Sequence, residues 1–360
     1  ASIDTQIVLD EREKTIPLNT QNFFKLNAET TGVYRVLYSG SRLAGIATEA
    51  AKNDSVLSLE DRMGLVLDGA ALAKAGLMPT SNLLVLIDAL RNETEYVVWT
   101  SLADSLHEVS TVWYEHEKIQ ELFKKFSKNI YTPLVQRLGY AAIEGESVDH
   151  RQLRVRAITG AAAAGESSVI KHLRELYDQY LGTGEVDPDL ERLVFKTAVK
   201  YGGRAEFEAM KAVVAKPNTV SLGISALQAL GATQDEALAA ELIDSYLESV
   251  RSQDLYHVFL GFVPNRKFRR FAFKKFQERY YWLEDRLAGN YTLQSIIRIV
   301  TSGLSSWESH REVQDFFKNK DTSKYHMALA QALDKIAAKA AWIDRSTENI
   351  LIWLETKEKA

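Results

Sequence analysis

The 360-residue chain contains no cysteine, which excludes disulfides, thiolate nucleophiles and cysteine-based metal sites together and makes a reducing compartment, the cytosol, the expected location. It also lacks any apolar run near the ~18 residues needed to cross a bilayer, so no membrane span is expected. Charge of one sign is missing as well. With 44 basic and 48 acidic residues and a formal net charge of −4, the composition gives no global reason to expect nucleic acid or an acidic membrane as partner. No Pro-rich or low-complexity stretch divides the chain, and Ala1 stands where an initiator Met is usual, compatible with a processed terminus or a piece of a longer chain.

Catalytic signatures are missing in the same way. His107-Glu108 and His116-Glu117 begin like a zinc-peptidase helix, but the second histidine that would share a metal from the same helix face is replaced by Thr111 and Gln120. The other histidines, at 150, 172, 257, 310 and 326, are scattered singly. The glycines at 202–203 and 182–184 follow helical patterns and read as links rather than phosphate cradles, and no nucleophile elbow occurs.

What is present is overwhelmingly helical periodicity. Residues 6–9, 15–18 and the two halves of 23–39, FFKLNAETTGVYRVLYS, alternate or cluster apolar side chains around polar turns, which predicts three or four strands. From residue 41 the period changes. Over 58–76, Met63, Val66, Leu67 and Ala70 form a helical stripe, Ser58 and Asp61 a capping box, and Gly76 a C-terminal stop. Similar patterns recur to residue 355, giving about seventeen short helices, with 117–128 and 130–143, and 322–340 and 343–355, read as separate elements. Short helices joined by short links predict a mainly α protein: a HEAT- or armadillo-like superhelix over 41–360, preceded by a small partial β-sandwich over 1–40.

Two stretches draw attention as possible surfaces. NRKFRRFAFKKFQERYYW, 265–282, interleaves basic and aromatic residues as single-strand nucleic-acid binders do. Phe268, Ala272, Phe276 and Tyr280 nevertheless fall at four-residue steps, so a buried stripe with Lys267, Arg270 and Lys274 outside is the preferred reading, a local anion site the second, and nucleic acid the last. In RNETEYVVW, 91–99, Glu93 and Glu95 sit at a helix start, where the macrodipole stabilises carboxylates.

Taken in order, these pieces resemble the C-terminal part of an M1-family zinc aminopeptidase of the puromycin-sensitive type. FFKLNAETTGVYRVLYS, LEDRMGLVLDGAALAKAGL, LRNETEYVVWTSL, YTPLVQRLGY, VPNRKFRRFAFKKF, IIRIVTSGLSSWESHREVQDFF and AAWIDRSTENILIWL follow the family's segments in register over residues 5–355. The resemblance implies a parent that removes N-terminal residues from peptides with a zinc ion held in a catalytic domain. The HExxH helix, its third glutamate ligand and the GAMEN motif are absent here, so no catalytic or metal residue and no cofactor is assigned to this chain, which is expected to be inactive alone.

By that resemblance the helical domain caps the catalytic domain of the same polypeptide, closes a chamber and holds the distal part of a peptide. Arg62, Glu93, Glu95, Arg266, Tyr291 and Arg298 occupy matching positions as candidate substrate contacts, each weighed against a structural ion pair. An arginine suits a peptide carboxylate because its planar fork donates two parallel hydrogen bonds. The expected partners are the catalytic domain and peptides, with self-association through an open sheet edge if sandwich strands lie upstream. The rival reading is a free-standing helical-repeat module that binds peptides or proteins without catalysis.

Overall fold

The structure, a computed structural model, describes residues 6–17, 23–287 and 291–359. Among the described residues there are sixteen α-helices and five short 3-10 turns, and no strand. The chain divides into two compact units. One comprises residues 1–109, 125–157 and 345–360, the other 110–124 and 158–344.

The first unit carries α1 (Gly40–Ala50), α2 (Leu59–Ala75) and α3 (Thr80–Ala89). Helix α2 starts as the sequence predicts. Ser58 Oγ accepts from the Asp61 backbone N–H and the Asp61 carboxylate accepts from the Ser58 N–H, while Gly76 ends the helix at φ 78°. The predicted stripe is displaced: Leu67 is 43 % exposed, and the buried face is Leu65, Val66, Gly69, Leu72 and Ala73. Two neighbours explain the shift, because α2 packs against α3 and also against the turn at Ala28–Thr30.

The predicted strands are not found. Residues 6–17 are extended or bent and exposed, Leu18 lies outside the described residues, and 23–38 run along α2 without pairing to another strand. Side chains satisfy this backbone instead of a ladder. The Glu29 N–H donates to Asp61 Oδ1 at 2.7 Å, the Val36 N–H to Asp68 Oδ2 at 3.0 Å, and the Leu26 N–H to the Tyr38 hydroxyl at 2.9 Å. Lys25 Nζ lies 2.7 Å from Asp61, with both side chains under 10 % exposed. Asn27, Glu29 and Thr30 turn the chain with φ near +54°, a conformation that costs a non-glycine residue about 1 kcal/mol. The Asp61 and Thr30 contacts offset that cost: Thr30 Oγ1 donates to the Glu60 carbonyl at 2.8 Å, and Gly64 leaves room for the Thr30 side chain.

Helices α4 (Tyr96–Val112), α5 (Glu117–Leu138) and α6 (Val148–Ala163) follow. Residues 117–138 form one helix rather than two, and Pro133 lies inside it. In the first unit the final residues of α16 (His326–Lys359) close the core against earlier helices: Thr80 Oγ1 bonds Ser346 Oγ at 3.0 Å, and Phe126 meets Trp353 edge-on at 5.1 Å. Residues 326–359 are also a single helix where two were expected.

The second unit holds α7 (Ser167–Thr183), α8 (Glu191–Tyr201), α9 (Arg204–Ala215), α10 (Val220–Leu230), α11 (Glu236–Asp244), α12 (Leu255–Phe262), α13 (Arg269–Arg286), α14 (Thr292–Ser302) and α15 (Trp307–Phe317). Here α8 packs on α10, α10 on α12 and α12 on α14, while α9 and α13 each touch the even-numbered helices on either side of them. Gly231 and Gly261 permit one such approach, since a Cβ at Gly261 would meet the Gln228 backbone. The stripe Phe268, Ala272, Phe276 and Tyr280 is buried to 3 % exposure or less. It belongs to an aromatic cluster with Phe316 and Phe317, which accounts for Phe268, Phe276 and Tyr280 as core rather than stacking platforms, while Tyr281 is 70 % exposed.

Candidate functional site

In the first unit the candidates resolve into an ion pair. Arg62 Nε lies 2.7 Å from Glu93 Oε2, with the Glu93 side chain only 5 % exposed, and Arg62 Nη1 also donates to the Leu57 carbonyl at 2.9 Å. The other carboxylate oxygen of Glu93 accepts from the N–H groups of Thr94 and Glu95 at 2.8 and 3.0 Å, and its backbone carbonyl accepts from Trp99 Nε1 at 2.8 Å. Glu93 therefore joins α2 to the start of α4, with its lone pairs occupied. Glu95 is exposed, and its carbonyl begins the α4 hydrogen-bond ladder.

The second unit separates its three candidates. Tyr291 is 84 % exposed just before α14, and Arg298, exposed on α14, hydrogen-bonds Gln331 Oε1 at 3.4 Å. Arg266 is half-buried and its Nε donates to the Tyr114 carbonyl. Further cations of this unit were not singled out by sequence reasoning.

Arg269 is 7 % exposed. Its Nε donates to the Val263 carbonyl at 2.7 Å, its Nη1 to the Thr111 carbonyl at 3.1 Å, and its guanidinium lies 4.7 Å from the centre of the Tyr114 ring. Burial draws its pKa down to about 10, Arg266 adds to the fall, and Tyr114 and Glu115 oppose it. Lys196 on α8 is half-buried, and its ammonium is lowered to about 8, chiefly by desolvation and then by Lys200 and Arg269. Lys124 on α5 is lowered by desolvation, then by Lys200 and Arg266.

Among the described residues none of Lys124, Lys196, Lys200, Arg266 and Arg269 makes an ion pair with a carboxylate, and repulsion from another of the five adds to the lowered pKa of Lys124, Lys196 and Arg269. Glu115, which opposes the fall at Arg269, is held by Arg270 at 2.5 Å, and Arg270 also binds Glu308 at 2.9 Å. Beside Arg269 a narrow cleft, with room for little more than a water molecule, is walled by Phe259, Phe262, Val263, Ala272, Val300 and the Arg269 side chain. Gly303 leaves space for that side chain, since a Cβ there would stand 2.9 Å from Arg269 Cδ.

The signal for Lys196 and Lys200 was their spacing of four on one helix. For Arg269 and Lys124 there was none, because their proximity is tertiary. Among the described residues no three His, Asp or Glu side chains converge to hold a metal ion. Glu108 is instead paired with Lys74, and His116 Nδ1 accepts from the Ile119 N–H at 3.3 Å at the start of α5. No helix among the described residues is long and apolar enough to cross a membrane.

Comparison with known proteins extends over the same residues. The family model of the ERAP1-like C-terminal domain matches residues 23–338. Aminopeptidase 2 of Candida albicans is 28 % identical over 99 % of this chain and 39 % of its own length. The alanine/arginine aminopeptidase of Saccharomyces cerevisiae is 30 % identical over 99 % of this chain and 42 % of its own. The puromycin-sensitive aminopeptidase of Caenorhabditis elegans is 24 % identical over 97 % and 38 %. The chain spans about two fifths of the length of these relatives, and it belongs to the ERAP1-like C-terminal domain family.

Proposed function

We propose that this chain is the non-catalytic C-terminal region of an M1 aminopeptidase, and that it caps the catalytic domain of the same polypeptide and holds the distal part of peptide substrates. The observation that carries the reading is the match of 99 % of the chain to aminopeptidases more than twice its length. The series α8, α10, α12 and α14, each packed on the next, supports a HEAT-like repeat. Such a repeat offers one row of helices to a ligand and turns the other away.

Arg266, half-buried with its Nε on the Tyr114 carbonyl, is the candidate whose guanidinium suits the carboxylate of a peptide terminus. Tyr291 and Arg298 remain outlying contacts. Arg62 and Glu93 are taken up by each other and are better suited to holding α2 and α4 in place. Val33, Tyr34 and Leu37 are each more than half exposed. That patch suits coverage by the catalytic portion of the polypeptide or, failing that, by a second copy. The absence of cysteine supports a reducing compartment.

Mass spectrometry of the protein in its native source tests the main claim. Peptides contiguous with and preceding Ala1 that include HExxH support it; a start codon at this position favours the free-standing module. The purified chain is expected neither to hold stoichiometric zinc nor to cleave an aminoacyl-arylamide, and either result would refute the non-catalytic assignment.

A further inference from the structure

We infer that Tyr280, Tyr281 and Phe316 form a binding site for a quaternary ammonium group, and that Lys320 of the same chain occupies it as a built-in competitor.

The second unit brings the three rings together from two helices. Tyr280 and Tyr281 lie on α13 and Phe316 on α15, and Lys320 follows α15 in the link to α16. The Lys320 ammonium stands 4.8 Å from the centre of the Tyr280 ring, 4.8 Å from that of Tyr281 and 4.4 Å from that of Phe316. The Tyr280 ring is turned 79° from Tyr281 and 84° from Phe316, so the rings make three walls of a box rather than a stack. Lys211, by contrast, faces two rings and is paired with Glu208 and Glu241 as well.

The walls are held from behind. Tyr280 is 1 % exposed, its hydroxyl donates to Glu284 Oε1 at 2.8 Å, and it lies 2.5 Å from the hydroxyl of buried Tyr325. A phenol that donates to a carboxylate gains electron density, which favours a cation at its face. Phe316 is braced edge-on by Phe273, Phe276 and Phe317. Tyr281, largely exposed, is the outer wall and leaves the box open to solvent.

The present occupant matches this box poorly. Among the described residues Lys320 makes no ion pair, and its ammonium has one protein acceptor, the Tyr281 hydroxyl at 3.4 Å. That distance is long for a hydrogen bond. A primary ammonium is strongly hydrated and carries three N–H donors, which ring faces satisfy less well than carbonyl oxygens do. A trimethylammonium group has no N–H to leave unpaired and presents its charge to the rings through methyl groups. Lys320 can vacate the box by rotating its side chain alone, because its backbone N–H is bonded separately to the Phe317 carbonyl. Its tether gives it a high local concentration, so it acts as a gate that a better-matched cation displaces. The site shares no residue with the candidate peptide contacts and stands or falls apart from the proposed function.

Calorimetric titration of choline chloride into the 360-residue chain, with ethanolamine hydrochloride at matched ionic strength as the unmethylated comparator, is the test. One equivalent of choline is expected to bind, with ethanolamine about tenfold weaker or more. Lys320→Ala empties the box and should tighten choline about tenfold, whereas Lys320→Arg, which keeps a tethered cation, should leave it near the unsubstituted value. Tyr281→Ala removes an exposed wall without touching the core and should weaken choline about tenfold in either background. A trimethyl-lysine peptide run beside choline separates two sources of the same group. Tighter binding of the peptide assigns a modified side chain, tighter binding of choline a small headgroup, and either supports the site. No binding of either probe by the unsubstituted chain, equal binding of choline and ethanolamine, or no loss in Tyr281→Ala overturns the inference. Choline binding that Lys320→Ala leaves unchanged overturns the role given to Lys320.

Discussion

Two groups of cations in this molecule obey opposite rules. In the first unit Arg62 meets Glu93, and Arg154, 4 % exposed at its side chain, is clamped to Glu146 through both Nη atoms. In the second unit Lys124, Lys196, Lys200, Arg266 and Arg269 have no carboxylate partner among the described residues. A buried cation that has its carboxylate is holding the fold together; one kept without a counter-ion is a cost to the fold. The contrast therefore separates cations answered by a carboxylate from cations that, like Arg266 and Arg269, are answered by backbone carbonyls.

Mutation can break the contrast at either end. The largest effect is expected for Arg62→Met, which leaves Glu93 buried and unpaired; thermal or urea unfolding should show a loss of about 3 kcal/mol. Next comes Glu146, whose carboxyl is held down to about 2, first by the hydrogen bonds from Arg154 and then by that with His150. Because its folded pKa lies below the unfolded value, its contribution is complete above about pH 4.3 and is lost as pH falls toward 2. Glu146→Gln should flatten that part of the stability–pH profile and also lower stability at neutral pH.

Lys196→Gln should act in the opposite direction, raising stability at pH 7 by on the order of 1 kcal/mol by removing a crowded, partly desolvated charge. The sign follows from its pKa, lowered from 10.5 to about 8. Between those values the unfolded chain binds the extra proton, so the unsubstituted protein gains stability as pH rises from about 8 to 10.5, and the variant should lose that slope. The smallest effect is expected for Lys171→Ala. Its partner Glu175 lies 3.7 Å away and both side chains are more than half exposed, so the melting curve should move by less than about 0.5 kcal/mol.

Much of the fold was legible because helices report locally. The Ser58–Asp61 box, the Gly76 stop and the Phe268–Tyr280 stripe are all where the period placed them. The errors have a common physical origin. A strand needs a partner backbone that alternation alone does not supply, and in 23–38 the carboxylates of α2 answer the backbone in its place. The reading of 322–340 and 343–355 as two helices placed a boundary that the single helix His326–Lys359 runs through unbroken. Of the candidate contacts, Arg266 was read from resemblance and stands half-buried on the Tyr114 carbonyl. Lys124 and Arg269 stayed hidden, because whether a charge is paired is decided by residues distant in sequence.

Asp61 has one more consequence, for the order in which parts of the molecule open. A single carboxylate caps the first turn of α2, pairs with Lys25 and accepts the Glu29 N–H. Fraying of that turn and release of residues 25–30 therefore draw on the two oxygens of one carboxylate, Oδ2 for the cap and Oδ1 for Lys25 and Glu29, and neither can proceed far without disturbing the other. In native-state hydrogen exchange the amide of Glu29 and those of the first α2 turn should share one opening free energy and respond together to denaturant, as a single cooperative unit.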